Sequence, residues 1–220
     1  HVRYSTSGNS KLCYEDSLNE IQPFTNNIFS LSHNGNIPDS FLKDFNDKNS
    51  DTQIIVNYLL NELHENEYNW KNTLLKFTEK FKYAYCIIIL TKNSLIAIRD
   101  RFGYRPLSLG INENKNYIVA SENVSFIKYE KIRDIQPGEC IQINNNGIEQ
   151  LFHINNNDYN LQKCIFEYVY FMNPESTADN NFVYQKRFEM GKILAKEEKC
   201  KFDNDYIVIG SPNTGIPGGK

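Results

Sequence analysis

No stretch of this 220-residue sequence approaches the roughly 20 consecutive apolar residues that a membrane-spanning helix needs, and the longest apolar run, 84–90, has the length of a strand. No run of like charge is present either. Twenty-four basic residues against 27 acidic ones leave a net charge of −3, which argues against a nucleic-acid partner and an electrostatic membrane anchor. Cysteine offers no pairing pattern: Cys13, Cys86, Cys140, Cys164 and Cys200 are odd in number and contain no C-x-x-C pair. That reads as free thiols in a reducing compartment, so a cytoplasmic location is expected. Arginine is scarce beside lysine, six against eighteen. Where lysine is the default cation, each arginine is expected to mark a place that needs a planar fork of donors. What remains is 40% hydrophobic and 13% aromatic, long enough to bury a core, and expected to act on a small molecule. The chain begins with His1 rather than Met and ends in a Gly/Pro-rich loop, and the expectation is a fragment lacking both termini.

Periodicity predicts how the chain is organised. Residues 2–5 read as the end of a strand, and 28–32 as a second short strand closed by a turn at 33–36, because Asn34 and Gly35 both tolerate positive φ. Pro38 suits the first turn of a helix running to about Phe45. Asp51 is expected to N-cap a second helix with the stripe Ile54, Ile55, Tyr58, Leu59 and Leu63, and Trp70, Leu74, Leu75, Phe77 and Phe81 predict a third. The run 85–90 has no polar face and predicts a strand buried on both sides. Strands at 95–98, 107–109, 117–120 and 139–143 follow, the last joined to 148–152 as a hairpin. Helices followed by consecutive antiparallel strands give an α+β class with a helix layer on sheets. The pattern loosens at 155–158, which divides the chain into 1–158 and 159–220. In the second part, 164–171 is ambiguous between helix and strand, and 182–199 is an amphipathic helix. A buried strand at 206–209 leads into the glycine loop, as a parallel α/β domain begins.

Three separated features suit the capture of an amino acid and acyl transfer. The Arg3 guanidinium can grip a carboxylate through two parallel bonds. The Asp51 carboxylate can hold an α-ammonium. The Asn34 side-chain amide with the Gly35 N–H can form an oxyanion hole, worth about 2.7–4 kcal/mol per donor. Taken singly, each has an ordinary structural reading as a surface ion pair, a helix cap or a turn. Their order adds to them: HVRYST at 1–6, QPF at 22–24, HNGN at 33–36, DT at 51–52, RDRFGYRPLSLG at 99–110, ASE at 120–122, PGE at 137–139 and CIFEYVYFMNPES at 164–176. Val183, Tyr184 and the Arg187-x-x-Met190-Gly191 pattern follow.

With these landmarks the whole chain resembles the amidophosphoribosyltransferases, glutamine-dependent enzymes that open purine synthesis. The resemblance implies an N-terminal-nucleophile glutaminase fold (layered α/β/β/α, antiparallel sheets, first strands missing) over 1–158. It implies the start of an α/β phosphoribosyltransferase domain over 159–220. Position by position, it implies that Arg3 binds the glutamine α-carboxylate, Asp51 binds the α-amino group, Thr6 lines the pocket, and Asn34 with Gly35 forms the oxyanion hole. The family's nucleophile is an N-terminal cysteine whose own α-amino group acts as base. None of the five cysteines matches it, so the chain alone is expected not to hydrolyse glutamine. The resemblance further implies phosphoribosyl pyrophosphate and Mg²⁺ for the second half-reaction, purine nucleotides as effectors, and a homo-oligomer at full length. Cys164 matches a position that ligates an iron–sulfur cluster in some members and is a packed thiol in others, and the cluster stays open. Arg101 stands where proline is usual, and Asn213 replaces a common carboxylate. For Arg99, Asp100 and Arg105 the favoured reading is a buried network fixing a turn, with an interdomain or nucleotide contact as the other. Two further alternatives are a non-catalytic glutamine-binding or regulatory protein of the same fold, and another glutamine amidotransferase of this type.

Overall fold

In the computed structural model, which describes residues 1, 21–45, 50–154, 161–200 and 205–220, the chain forms two units, 1–105 with 135–163 and 106–134 with 164–220. It passes between them at 105/106, 134/135 and 163/164. The expected boundary at 158/159 lies among residues outside the description, and 106–134 groups with the later part of the chain.

The first unit is built on six antiparallel strands: β1 (Phe24–Thr25), β2 (Phe29–Asn36), β3 (Ala84–Thr91), β4 (Leu95–Arg99), β8 (Glu139–Asn144) and β9 (Gly147–His153). They lie side by side in the order β1-β2-β3-β4-β8-β9. Helices α1 (Asp39–Leu42), α2 (Asp51–Glu65) and α3 (Trp70–Lys80) belong to the same unit. Ile54, Ile55, Leu59 and Leu63 of α2 and Leu74 and Phe77 of α3 are fully buried in one cluster with Leu31, Ile87, Ile89, Ile96 and Ile98 of the sheet. Each such side chain contributes about 1.5–3 kcal/mol by leaving water. Phe77 and Phe81 stack with ring centres 4.6 Å apart, and Tyr85 meets Phe77 edge-on at 5.0 Å, so the helix layer is tied to β3 by aromatics.

Three sequence-based expectations are corrected in this unit. His33-Asn34-Gly35-Asn36 is strand rather than turn: β3 is long enough to give all eight residues of β2 a partner, from Phe29 opposite Thr91 to Asn36 opposite Ala84. A full ladder outweighs the local Asn-Gly preference. The cap of α2 is Ser50, whose hydroxyl accepts from the Gln53 N–H at 3.4 Å, and Asp51 is the first helical residue. The apolar run of β3 is buried on both faces only at residues 85–87, and Leu90 is 56% exposed.

In the second unit, β5 (Ser108–Ile111) lies between β6 (Tyr117–Ala120) and β7 (Glu130–Asp134). A short pair, β10 (Thr177–Ala178) and β11 (Asn181–Phe182), leads into α4 (Val183–Glu197). The ambiguous 164–171 segment is helical and ends in a π-turn over Glu167–Phe171. Buried Arg187 fixes that turn by donating from Nε to the Tyr168 carbonyl (2.6 Å) and from Nη2 to the Met172 carbonyl (2.7 Å). Glu122 ties ASE to the NPES segment, accepting from the Asn173 N–H at 2.7 Å and the Ser176 hydroxyl at 2.6 Å. Residues 206–209 are not a buried strand: they lie outside the sheets of the described residues and are exposed, since an apolar run leaves water only when its backbone is satisfied in a ladder. The α+β class with antiparallel sheets is as expected.

Candidate functional site

The far end of β2 and the N-terminus of α2 meet in a buried polar cluster. Alternation along β2 turns Phe29, Leu31 and His33 to the inside, and the next residues, Asn34 and Gly35, pair with Cys86 and Tyr85 of β3. Gly35 is required by closeness: a Cβ there would collide with the Ala84 carbonyl oxygen and lie 2.8 Å from the Tyr85 Cα. Two residues later the Ile37 N–H donates to Oδ2 of Asp51 at 3.3 Å. The carboxylate proposed from sequence for an ammonium therefore stands beside the Asn34-Gly35 corner proposed for an oxyanion. Arg3 and Thr6 lie outside the described residues. His1 is described, and its Nε2 sits 3.2 Å from the His33 carbonyl oxygen.

Hydrogen bonds fix the Asp51 side chain, which is buried with only its rim exposed. Oδ1 accepts from the Thr52 N–H at 2.8 Å and the Thr52 hydroxyl at 3.3 Å. The Thr52 oxygen in turn lies 3.1 Å from Nδ1 of His33 and accepts from Nε2 of Gln22 at 3.1 Å. Gln22 closes the loop, its Oε1 accepting from the His33 N–H at 2.6 Å. Burial lowers the His33 pKa below its ordinary value; Asp51, 3.9 Å away, and the Ala84 carbonyl oppose the shift, and the Arg105 charge reinforces it. His33 is thus a neutral ring near pH 7. The tautomer of that ring sets whether Nδ1 donates to the Thr52 oxygen or accepts from its hydroxyl.

Such an arrangement offers one anionic group held to the chain just past a polar strand end, suited to a ligand carrying an ammonium and a carbonyl. Residues 9–128 match the model of a family described as a glutamine amidotransferase domain. This chain belongs to that family. Among relatives of this amidotransferase domain, the amidophosphoribosyltransferase of Haemophilus influenzae is 36% identical over 97% of the chain and 46% of its own length. The chloroplastic amidophosphoribosyltransferase of Vigna aconitifolia is 32% identical over 98% of the chain and 44% of its own. A solved structure, the glutamine phosphoribosylpyrophosphate amidotransferase of B. subtilis complexed with ADP and GMP, superposes with a TM-score of 0.75 at 29% identity, covering 100% of this chain and 47% of that one. The chain spans about half the length of the curated relatives it matches.

Elsewhere in the domain, the RDRFG segment is a structural turn. The Arg99 guanidinium, buried at the end of β4, donates to the carbonyls of Arg105 (2.7 Å), Ile135 (2.9 Å) and Gly103 (3.3 Å). Gly103 takes φ +68°, which favours glycine, and a Cβ there would also press on Pro137 at 2.7 Å. Asp100, fully buried, accepts from the Phe102 N–H at 2.9 Å and the Tyr104 N–H at 3.4 Å, while its Oδ2 has no hydrogen-bond partner among the described residues. Burial pushes its carboxyl up to about 6. Arg101, in the place of the family's usual proline, reaches the Thr78 carbonyl of α3 at 2.8 Å and ties the turn to that helix. Cys164 is half-buried with a free thiol, and among the described residues no group of three or more His, Cys, Asp or Glu side chains is arranged around a metal. The described residues do not assemble a cluster site at Cys164. Nor is any helix among them long and apolar enough to cross a membrane.

Gln22, His33 and Thr52 stand in the sequence motifs without a role that the sequence assigns. The signal for His33 is present: period-two burial through Phe29 and Leu31 puts it inside once 33–36 is read as strand. For Gln22, a side-chain contact across eleven residues, the sequence holds no such signal.

Proposed function

We propose that this chain is the glutamine-handling part of an enzyme that moves the amide nitrogen of glutamine to phosphoribosyl pyrophosphate. The products are 5-phosphoribosylamine, glutamate and pyrophosphate, in the first committed step of purine synthesis, within the cytoplasm. The observation that carries this is Asp51 held against the backbone two residues past Gly35, which joins an ammonium acceptor to the strand end that would receive the amide carbonyl.

In this reading Asp51 takes the α-ammonium, Arg3 the α-carboxylate, and Thr6 lines the pocket. A cysteine thiolate attacks the amide carbon, and no cysteine of this chain is assigned that part. The C=O electron pair moves to oxygen, where the Asn34 amide and the Gly35 N–H stabilise the oxyanion. Collapse expels ammonia, the amide nitrogen taking a proton as the C–N bond breaks. Water then hydrolyses the thioester to glutamate. Residues 1–158 are the glutaminase part and 159–220 open the phosphoribosyltransferase part. Mg²⁺ would neutralise pyrophosphate as it leaves, held by phosphoribosyltransferase residues that are not among these 220. Purine nucleotide effectors, for which ADP and GMP in the B. subtilis structure are the support, and a homo-oligomeric full-length enzyme complete the proposal.

Titration calorimetry of L-glutamine into the chain tests the reading. Binding is expected, with affinity falling at least about tenfold in Asp51→Asn, the loss of one charge-assisted contact. Undetectable binding, or binding indifferent to Asp51, overturns it.

A further inference from the structure

The register of β1 with β2 sets Phe24 opposite Leu31, and extending it by two residues puts Gln22 opposite His33. There the ladder continues through a side chain: the Gln22 amide oxygen takes the His33 N–H at 2.6 Å. The other end of that amide leaves the sheet and donates to the Thr52 hydroxyl on α2 at 3.1 Å. One planar group therefore spans the two elements that carry the candidate site, with Gln22 itself only 9% exposed.

The consequence for Asp51 follows from counting lone pairs. Thr52 Oγ1 has one proton and two acceptor positions. Gln22 Nε2 fills one acceptor position, and His33 Nδ1 lies 3.1 Å away. The hydroxyl proton faces Asp51 Oδ1, 3.3 Å away, an oxygen that can only accept. With the Thr52 N–H also on Oδ1 and the Ile37 N–H on Oδ2, three of the roughly four acceptor positions of the carboxylate are taken by described residues. The remaining one is on Oδ2. The network sets both the rotation of the carboxylate and which oxygen is left to receive a ligand.

We propose that Gln22 is a positioning residue for substrate: through the Thr52 hydroxyl it orients Asp51 Oδ2 toward the α-ammonium of a free amino acid. This rests on the glutamine reading above and deepens it. Gln22 touches no substrate and acts only through Thr52 and Asp51.

Calorimetry with two ligands separates this role from bracing of the fold. One ligand is L-glutamine; the other is glutaramate, which keeps the terminal amide and the carboxylate but lacks the α-amino group. Gln22→Ala and the near-isosteric Thr52→Val are each expected to weaken glutamine binding about five- to tenfold and to leave glutaramate affinity unchanged. Thr52→Ser, which restores the hydroxyl, returns glutamine affinity to that of the parent chain. In an Asp51→Asn background, Gln22→Ala costs nothing further. Equal loss for both ligands, or a Gln22→Ala penalty that adds in full to that of Asp51→Asn, overturns the proposal. If the parent chain binds neither ligand, the glutamine reading itself has failed. Thermal denaturation identifies a Gln22→Ala protein that has not folded, in which case the Thr52→Val and Thr52→Ser pair decides.

Discussion

Gly35 lies opposite Tyr85 across the β2–β3 ladder so closely that a Cβ on Gly35 would stand 2.8 Å from the Tyr85 Cα and inside the Ala84 carbonyl oxygen. Both obstacles are backbone, so no rotamer change relieves them. Gly35→Ala is expected to destabilise the chain by about 1–3 kcal/mol, the usual cost of overpacking. A urea titration read by far-ultraviolet circular dichroism checks it, and an unshifted midpoint would contradict the close approach.

Arg99 makes a second prediction. Its fork satisfies three backbone carbonyls that are brought together by the RDRFG turn and the chain at Ile135. Arg99→Met leaves them without that donor and is expected to cost roughly 3 kcal/mol or more, since each stranded buried acceptor costs on the order of 1–3 kcal/mol. Arg99→Lys, a single ammonium that cannot reach all three, should fall between Met and the parent chain. Equal unfolding midpoints for Arg and Lys would show that the fork geometry is immaterial.

The third concerns pH and Asp100. Its folded pKa of about 6 stands above the usual 3.8, so the folded state holds this proton more tightly than the unfolded state does. The stabilisation is therefore complete below about pH 4 and is lost as pH rises through 6. A gap of that size between the folded and unfolded chain corresponds to on the order of 3 kcal/mol. Asp100→Asn keeps an acceptor for the Phe102 N–H and puts a neutral amide where the unpartnered oxygen lies. Relative to the parent, the variant should gain stability between pH 4 and 7, measured by urea unfolding at several pH values. A difference that stays constant across that range would refute the assignment to Asp100.

How far these features could be read from sequence depends on how local their causes are. The helices at Asp51–Glu65 and Trp70–Lys80 and the hairpin of β8 and β9 follow from periodicity within a dozen residues, and they stand where expected. The scarcity of arginine was informative: Arg99, Arg101 and Arg187 are buried with guanidinium groups on main-chain carbonyls. The 33–36 segment misled because a two-residue preference was weighed without the eight partners that β3 supplies. At the cap of α2 the neighbour Ser50 took the role given to Asp51, and this freed the carboxylate for the strand end. Asn34, Gly35 and Asp51 could be grouped from the sequence only as a family pattern, because the approach of Asp51 to Ile37, just past that strand end, depends on tertiary packing. The role of Gln22 was not legible at all.

Asn34 and Gly35 are rungs of the β2–β3 ladder and not part of a loop. A loop can lengthen, shift or sample new shapes while the core stays intact. A rung has less latitude, because displacing it breaks the pairing with Cys86 and Tyr85 of β3. A change of ligand would then come more readily through segments that flank this corner than through the paired residues themselves.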